Sequence, residues 1–203
     1  MTSQVRRDPV VDHLITPENS VLAVIDYQPS QIEAVRSMDH ELLLKNVITT
    51  VKVAKLFAVP IIHSTINVAN GQGPTLDGLA QELEGYPPID RTAINSWEDA
   101  DFLAAFRAAD RRKLILCALW TEVCMTFPAL DALREGYEVY PVTDAIAGTS
   151  PEAHRAGIDR TVQAGGRPIG WVSLACELQR DWGRTETVPQ IIEIVINERL
   201  GKD

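Results

Sequence analysis

The sequence predicts a three-layer α/β/α fold built on a doubly wound, mainly parallel sheet of five or six strands. Three observations carry this expectation. Short apolar runs stop abruptly at polar residues, as strands buried on both faces do. These runs alternate with stretches of helical spacing along the chain. No Pro/Gly/Ser-rich linker divides the 203 residues, so residues 1–203 read as a single domain with a polar N-terminal arm, 1–13, that lies on a neighbour or frays.

Val21-Leu22-Ala23-Val24-Ile25 is the first strand and ends at Asp26. Asp39 can cap a helix that carries Leu42, Leu43, Val47, Ile48, Val51 and Ala54 and stops before Pro60. Val59 to Ser64 reads as the second strand, and the Gly- and Asn-rich stretch 67–73 as loop. A weak helix from Leu76 to Leu83 and a turn at Pro87-Pro88 lead to a doubtful extended piece near Ile89. A helix capped near Ser96 or Asp99 follows, with Phe102, Leu103 and Phe106 on one face.

Leu114 to Leu119 is a buried strand that breaks into Trp120-Thr121-Glu122, and helical spacing runs from Cys124 to Glu135. Pro128 lacks an N–H and clashes with the carbonyl four residues back, so a regular helix begins no earlier than about Cys124. Tyr137 to Thr143 is a strand ending at Asp144. Thr149-Ser150-Pro151-Glu152 opens a helix that stops at Gly165-Gly166. Pro168 to Val172 reads as the last strand, and helices over Leu174–Trp182 and Val188–Leu200 close the chain.

Composition bounds the function. Hydrophobic residues make up 45% and charged residues 23% of the chain, the balance of an ordinary globular protein. A formal net charge of −9 disfavours nucleic acid and anionic membranes as partners and favours a small-molecule substrate. No apolar run reaches membrane-spanning length, and the opening residues lack the apolar core of a secretion signal. Three cysteines without framework spacing fit a reducing compartment, so the expected location is cytoplasmic.

In a sheet of this kind the strands' carboxyl ends collect the ligand-binding residues. Asp26, His63, Trp120 to Cys124 and Asp144 all fall there. Asp144 fits a helix or turn cap better than a catalytic role, and His63 fits a local hydrogen bond better than a metal site. Cys117 lies mid-strand and reads as a buried hydrophobe. Cys176, beside Glu177, reads as a packing residue. Cys124, at a helix start, is placed where the dipole lowers a thiol pKa, which makes it a candidate nucleophile. Such a thiol needs a base and a positive neighbour, and Asp26 and Arg91 are the candidates for these roles. The backbone N–H groups of the turn before Cys124 could hold an oxyanion.

Taken together, Val24-Ile25-Asp26-Tyr27-Gln28, Arg91-x-x-Ile94-Asn95-Ser96-Trp97, Ala118-Leu119-Trp120-Thr121-Glu122-Val123-Cys124 and Val142-Thr143-Asp144-Ala145 resemble the isochorismatase-like cysteine hydrolase superfamily, a Rossmann-like fold. Phe127-Pro128-Ala129-Leu130 and Glu177-Leu178-Gln179-Arg180-Asp181-Trp182 are similar to its YcaC-like subgroup. The resemblance implies an Asp/Lys/Cys triad in which Asp26 takes the thiol proton and Cys124 attacks. The lysine position falls on or near Arg91. Arginine cannot pass a proton, but it can stabilise a thiolate or orient a carboxylate.

The resemblance further implies a cis peptide at Leu119–Trp120, an oxyanion hole from the N–H groups of Trp120 and Cys124, and a pocket lined by Gln28, Asn95, Trp97, Trp120, Thr121 and Phe127. Nicotinamidases of the superfamily bind metal through an Asp and two His after the second strand. Here His63-Ser64-Thr65-Ile66-Asn67 lacks that pattern, so neither a metal nor a cofactor is expected.

The implied activity is hydrolysis of a small amide or carbamoyl substrate through a thioester. The alternatives are vinyl-ether hydrolysis of the isochorismatase type and a non-catalytic oligomeric scaffold. Trp97, Trp120, Trp171 and Trp182 exceed what one small pocket requires, which points to a homo-oligomer.

Overall fold

The computed structural model describes residues 7–200, with side chains described through 196. Five strands form one parallel sheet: β1 (Ser20–Ile25), β2 (Ile61–Ile66), β3 (Ile89–Arg91), β4 (Lys113–Ala118) and β5 (Glu138–Pro141). Their spatial order is β3-β2-β1-β4-β5. The chain therefore winds outward from β1 in one direction, returns to the centre, and winds outward from β4 in the other. The crevice beyond the carboxyl ends of β1 and β4 is the topological switch point, where α/β sheets bind their ligands.

The helices are α1 (Pro29–Glu33), α2 (His40–Leu56), α3 (Asp77–Glu82), α4 (Ala100–Ala108), α5 (Thr126–Arg134), α6 (Pro151–Gln163), α7 (Trp171–Gln179) and α8 (Val188–Leu200). Alternating residues of the central strands feed two cores. Leu22, Val24, Ile115 and Cys117 pack with Val47, Val51 and Leu174 of α2 and α7. Val21, Ala23, Ile25, Leu114, Leu116 and Ala118 face Phe102, Phe106 and Ala129 of α4 and α5. The three-layer expectation holds, and so do the caps. Asp39 accepts from the Leu42 N–H at 2.9 Å and Ser150 from the Ala153 N–H at 3.0 Å.

The structure decides two of the strand expectations. The doubtful piece near Ile89 is a real edge strand, paired with β2 through Ser64↔Ile89 and Ile66↔Arg91. The predicted last strand, 168–172, is reduced to a single bridge, Val142↔Ile169. Pro168 has no N–H to give a ladder, and the Trp171 N–H turns instead to Asp144 Oδ1 at 3.0 Å, so α7 begins at Trp171. Asp144 is thus a cap, as one reading of the sequence had it, but for a helix 27 residues away.

The N-terminal arm is corrected for its described part. Asn19 Nδ2 donates to the carbonyls of Pro9, Asp12 and Leu14. Lys113, fully buried within β4, donates from Nζ to the carbonyls of Asp12 and Leu14 at 2.6 Å each. Residues 9–14 are therefore folded onto their own chain; residues 1–6 lie outside the described residues.

Burial pushes the Lys113 ammonium below its ordinary range, against the pull of Glu138 and Asp12. Lys113→Met removes both ammonium hydrogen bonds, leaves the Asp12 and Leu14 carbonyls with the Asn19 amide alone, and is expected to lower stability by about 1–3 kcal/mol, read as a lower urea midpoint. A parental midpoint would remove the clamp from the account.

Candidate active site

Asp26 follows β1 with φ 64°, in the left-handed region that aspartate tolerates better than most residues. Its N–H donates to the Ser64 carbonyl at 3.0 Å, so the end of β2 fixes this turn. Arg91, the last residue of β3, reaches past β2, and its Nη2 donates to Asp26 Oδ2 at 2.6 Å. Neither side chain has any exposed surface. The other guanidinium nitrogens divide: Nη1 donates to the Ala93 carbonyl at 2.8 Å, while Nε is buried without a partner. Asp26 Oδ1 is likewise buried without a hydrogen-bond partner.

The third group arrives from β4. The Leu119 N–H donates to the Ile25 carbonyl, the Leu119–Trp120 peptide is cis, and the Thr121 N–H donates to the Ala147 carbonyl at 2.8 Å. The Met125 N–H then reaches back five residues to the Trp120 carbonyl, closing a π turn over Thr121–Met125. Regular helix starts only at Thr126, which puts Pro128 in the first turn, where its missing N–H costs no bond. Cys124 thus sits inside a π turn, a geometry frequent at functional sites, and not in the first turn of α5 as expected.

The expected lowering of the thiol pKa is corrected too. Burial pushes the Cys124 thiol far up, the neighbouring Asp26 charge pushes the same way, and Arg91 opposes them. The thiol is protonated at rest. Burial also raises the Asp26 carboxyl, against Arg91 and the Cys124 thiol, which lower it. The three predicted residues are therefore brought together as one coupled, nearly dry group; Cys124 is 6% exposed.

Most of the expected pocket-lining residues hold the frame instead. Gln28 is fully buried: its Oε1 accepts from the Ile66 N–H at 2.8 Å and its Nε2 donates to the Gly73 carbonyl at 2.7 Å, tying the loop to β2. Asn95 caps the short 3₁₀ turn Ser96–Glu98 through the Trp97 N–H and donates to Asp131 at 2.7 Å. Trp97 is a core residue, its ring 4.7 Å from that of Phe106 and its Nε1 donating to Glu135. Thr121 is fully buried, with its hydroxyl 2.8 Å from His154 Nδ1. Phe127 lies half-buried against α6, with the Arg160 guanidinium 6.0 Å from its ring. Trp120 stays at the site, its indole N–H donating to the Gln31 carbonyl at 2.7 Å.

His63 bonds locally, Nδ1 to the Tyr86 carbonyl and Nε2 to Thr75. Cys117 is buried and Cys176 exposed, so the packing expected for Cys176 is not found within this chain. Trp171 is buried, whereas Trp182 is 64% exposed.

Sequence reasoning missed the residues that grip the turn. Tyr27 donates its hydroxyl to the Ala145 carbonyl, and Glu122 accepts from Thr149. Gly157 of α6 packs so close that a Cβ there would lie 2.9 Å from the Glu122 Cα. The Glu122 position was visible inside the Trp-Thr-Glu-Val-Cys run, but its partner lies 27 residues on.

The isochorismatase domain family matches residues 20–173. The chain belongs to the isochorismatase family. Within it, the sequence is 36% identical over 166 residues to the Escherichia coli K12 protein named "Probable hydrolase YcaC", covering 81% of this chain and 79% of that one. The structure of YcaC from Pseudomonas aeruginosa with hexane-2,5-diol and covalent acrylamide superposes with a TM-score of 0.84 at 30% identity, covering 90% of this chain and 91% of that one. The Escherichia coli YcaC structure, described as an octameric hydrolase of unknown specificity, gives the same TM-score, identity and coverage. The YcaC-like branch of the family is the one this isochorismatase-family chain resembles.

Gly157→Ala forces a methyl group against the backbone of Thr121 and Glu122. It is expected to destabilise the protein by about 1–3 kcal/mol, measured by urea unfolding. An unchanged midpoint would mean that the turn gives way freely.

Proposed function

We propose that this isochorismatase-family protein is a cysteine hydrolase acting on a small amide or carbamoyl substrate. The observation that carries the reading is the coupling of a protonated, buried Cys124 thiol to the Asp26 carboxylate, with the Arg91 guanidinium on that same carboxylate. Substrate binding excludes the remaining water. Asp26 takes the thiol proton as Sγ bonds to the substrate carbonyl carbon. The oxyanion rests on the N–H groups of Trp120 and Cys124; one such donor is worth roughly a hundredfold to a thousandfold in rate.

Collapse of the intermediate breaks the C–N bond, and the leaving amine carries away the proton held by Asp26. Water, deprotonated by Asp26, then attacks the thioester carbon; the C–S bond breaks, the acid leaves, and the thiol regains its proton. Arg91 contributes charge only, holding the carboxylate in place and favouring the thiolate as it forms. The steps use side chains and backbone of this chain alone.

The covalent acrylamide on the Pseudomonas aeruginosa relative supports a reactive site open to a small amide. Assembly follows the octameric Escherichia coli relative, and Trp182 is an exposed aromatic available for such contacts. One observation favours a second reading: a carboxyl raised by burial, as Asp26 is, suits proton donation to a vinyl ether. That activity survives Cys124→Ala, whereas amide hydrolysis does not.

Asp26 must be ionised to accept the proton. Its raised pKa therefore moves the acid limb of Cys124 reactivity above the usual carboxylate range: reactivity is lost as pH falls through that value and is restored above it. The expected result is that acrylamide labels Cys124 with such a limb, and that Asp26→Asn slows labelling at least about a hundredfold. Labelling of Asp26→Asn at the parental rate would overturn the base assignment.

A further inference from the structure

We propose that Glu122 is a positioning residue whose carboxylate, anchored on Thr149, holds the π turn that carries Cys124. This rests on Cys124 being the nucleophile. Glu122 Oε1 accepts two hydrogen bonds from one residue, the Thr149 N–H at 3.0 Å and the Thr149 hydroxyl at 2.7 Å. Thr149 immediately precedes Ser150, the cap of α6, so the carboxylate lies at the positive end of a 13-residue helix. The seat is shaped for it. A Cβ on Gly148 would fall 2.5 Å from Glu122 Oε2 and 2.9 Å from the His154 nitrogen, so only a glycine leaves room for the side chain.

The loop that receives Glu122 is itself fixed from the far side. The Gly148 N–H donates to Ser37 Oγ at 2.8 Å, and the Gly148 carbonyl accepts from the Arg36 N–H at 3.0 Å. The same loop accepts the Thr121 N–H and bridges Leu119↔Ala147. The turn is thus tied at Leu119, Thr121 and Glu122 to the segment 147–149. On its other side, Thr121 meets His154, and Thr126 Oγ1 donates to the carbonyls of Thr121 and Gly157.

The charged groups that act on Cys124 are Asp26 and Arg91, so its aim at them depends on these ties. Glu122 is the tie made by a charge. Its second oxygen is buried without a partner, a costly state that burial for packing alone does not require. Displacing a reacting group by 1 Å costs up to about a hundredfold in rate.

The test compares the parent with Thr149→Ala and Thr149→Ser, which spare Glu122 and the core. Acrylamide modification of Cys124 is timed by peptide mass spectrometry, and thermal melting is recorded beside it. Thr149→Ala is expected to slow modification about tenfold, and Thr149→Ser to return to within about twofold of the parent because it keeps the hydroxyl. Thr149→Ala reacting at the parental rate, with or without a lower melting temperature, overturns the proposal, as does a Thr149→Ser that reacts no faster than Thr149→Ala. A parent in which Cys124 takes no acrylamide overturns the nucleophile itself, a separate result from failure of the clamp.

Discussion

The structure at the switch point depends on one ion pair, Asp26 to Arg91, buried without exposure on either side chain. Taking two charges out of water is expensive, and breaking such a pair by removing one partner costs roughly 3–5 kcal/mol. The sheet meets this cost by geometry: β1 ends in a left-handed Asp26, and β3, short as it is, ends with Arg91 in register with Ile66 two strands from β1. Once the pair is in place, the carboxylate is fixed in orientation, with one oxygen on Arg91 and the other left over. That remaining oxygen is the one the proposed mechanism uses as the base for the buried thiol.

The same burial raises both the carboxyl and the thiol, and the raised thiol keeps its proton on sulfur at rest. An arginine in this position can shift the balance between Asp26 and Cys124 only through its charge, because it keeps its proton. In the proposed mechanism the pair acts as a fixed electrostatic frame in which one proton moves between sulfur and carboxylate. The double winding of the sheet lets three separate chain segments supply the three groups, while both cores below them remain apolar.

Strand ends were legible because their chemistry is local. An apolar run stopping at Asp26, and another breaking into Trp-Thr-Glu before Cys124, place both residues at the carboxyl edge by pattern alone. Arg91 was legible as a positive neighbour for the thiol but not as the end of a strand, since a three-residue edge strand carries too little periodicity to locate it. The π turn was not legible: Pro128 limits where regular helix starts, but which carbonyl the Met125 N–H reaches depends on α6 packing against the turn through Gly157. The direction of the Cys124 shift was misread because helix position is visible in sequence and burial beside a carboxylate is not. Gln28, Asn95 and Trp97 were expected in the pocket for a similar reason. The resemblance suggested them, but their partners, Gly73, Asp131 and Glu135, are set by the fold.

The most direct test of the central claim is the rate of acrylamide modification of Cys124 in Arg91→Lys and Arg91→Met, measured on folded protein across the pH range. A frame that works through charge predicts that lysine retains reactivity to within about tenfold, while methionine, with Asp26 left unpaired, loses at least about a hundredfold and moves the acid limb to higher pH. Arg91→Met reacting like the parent, with the same acid limb, would contradict the account.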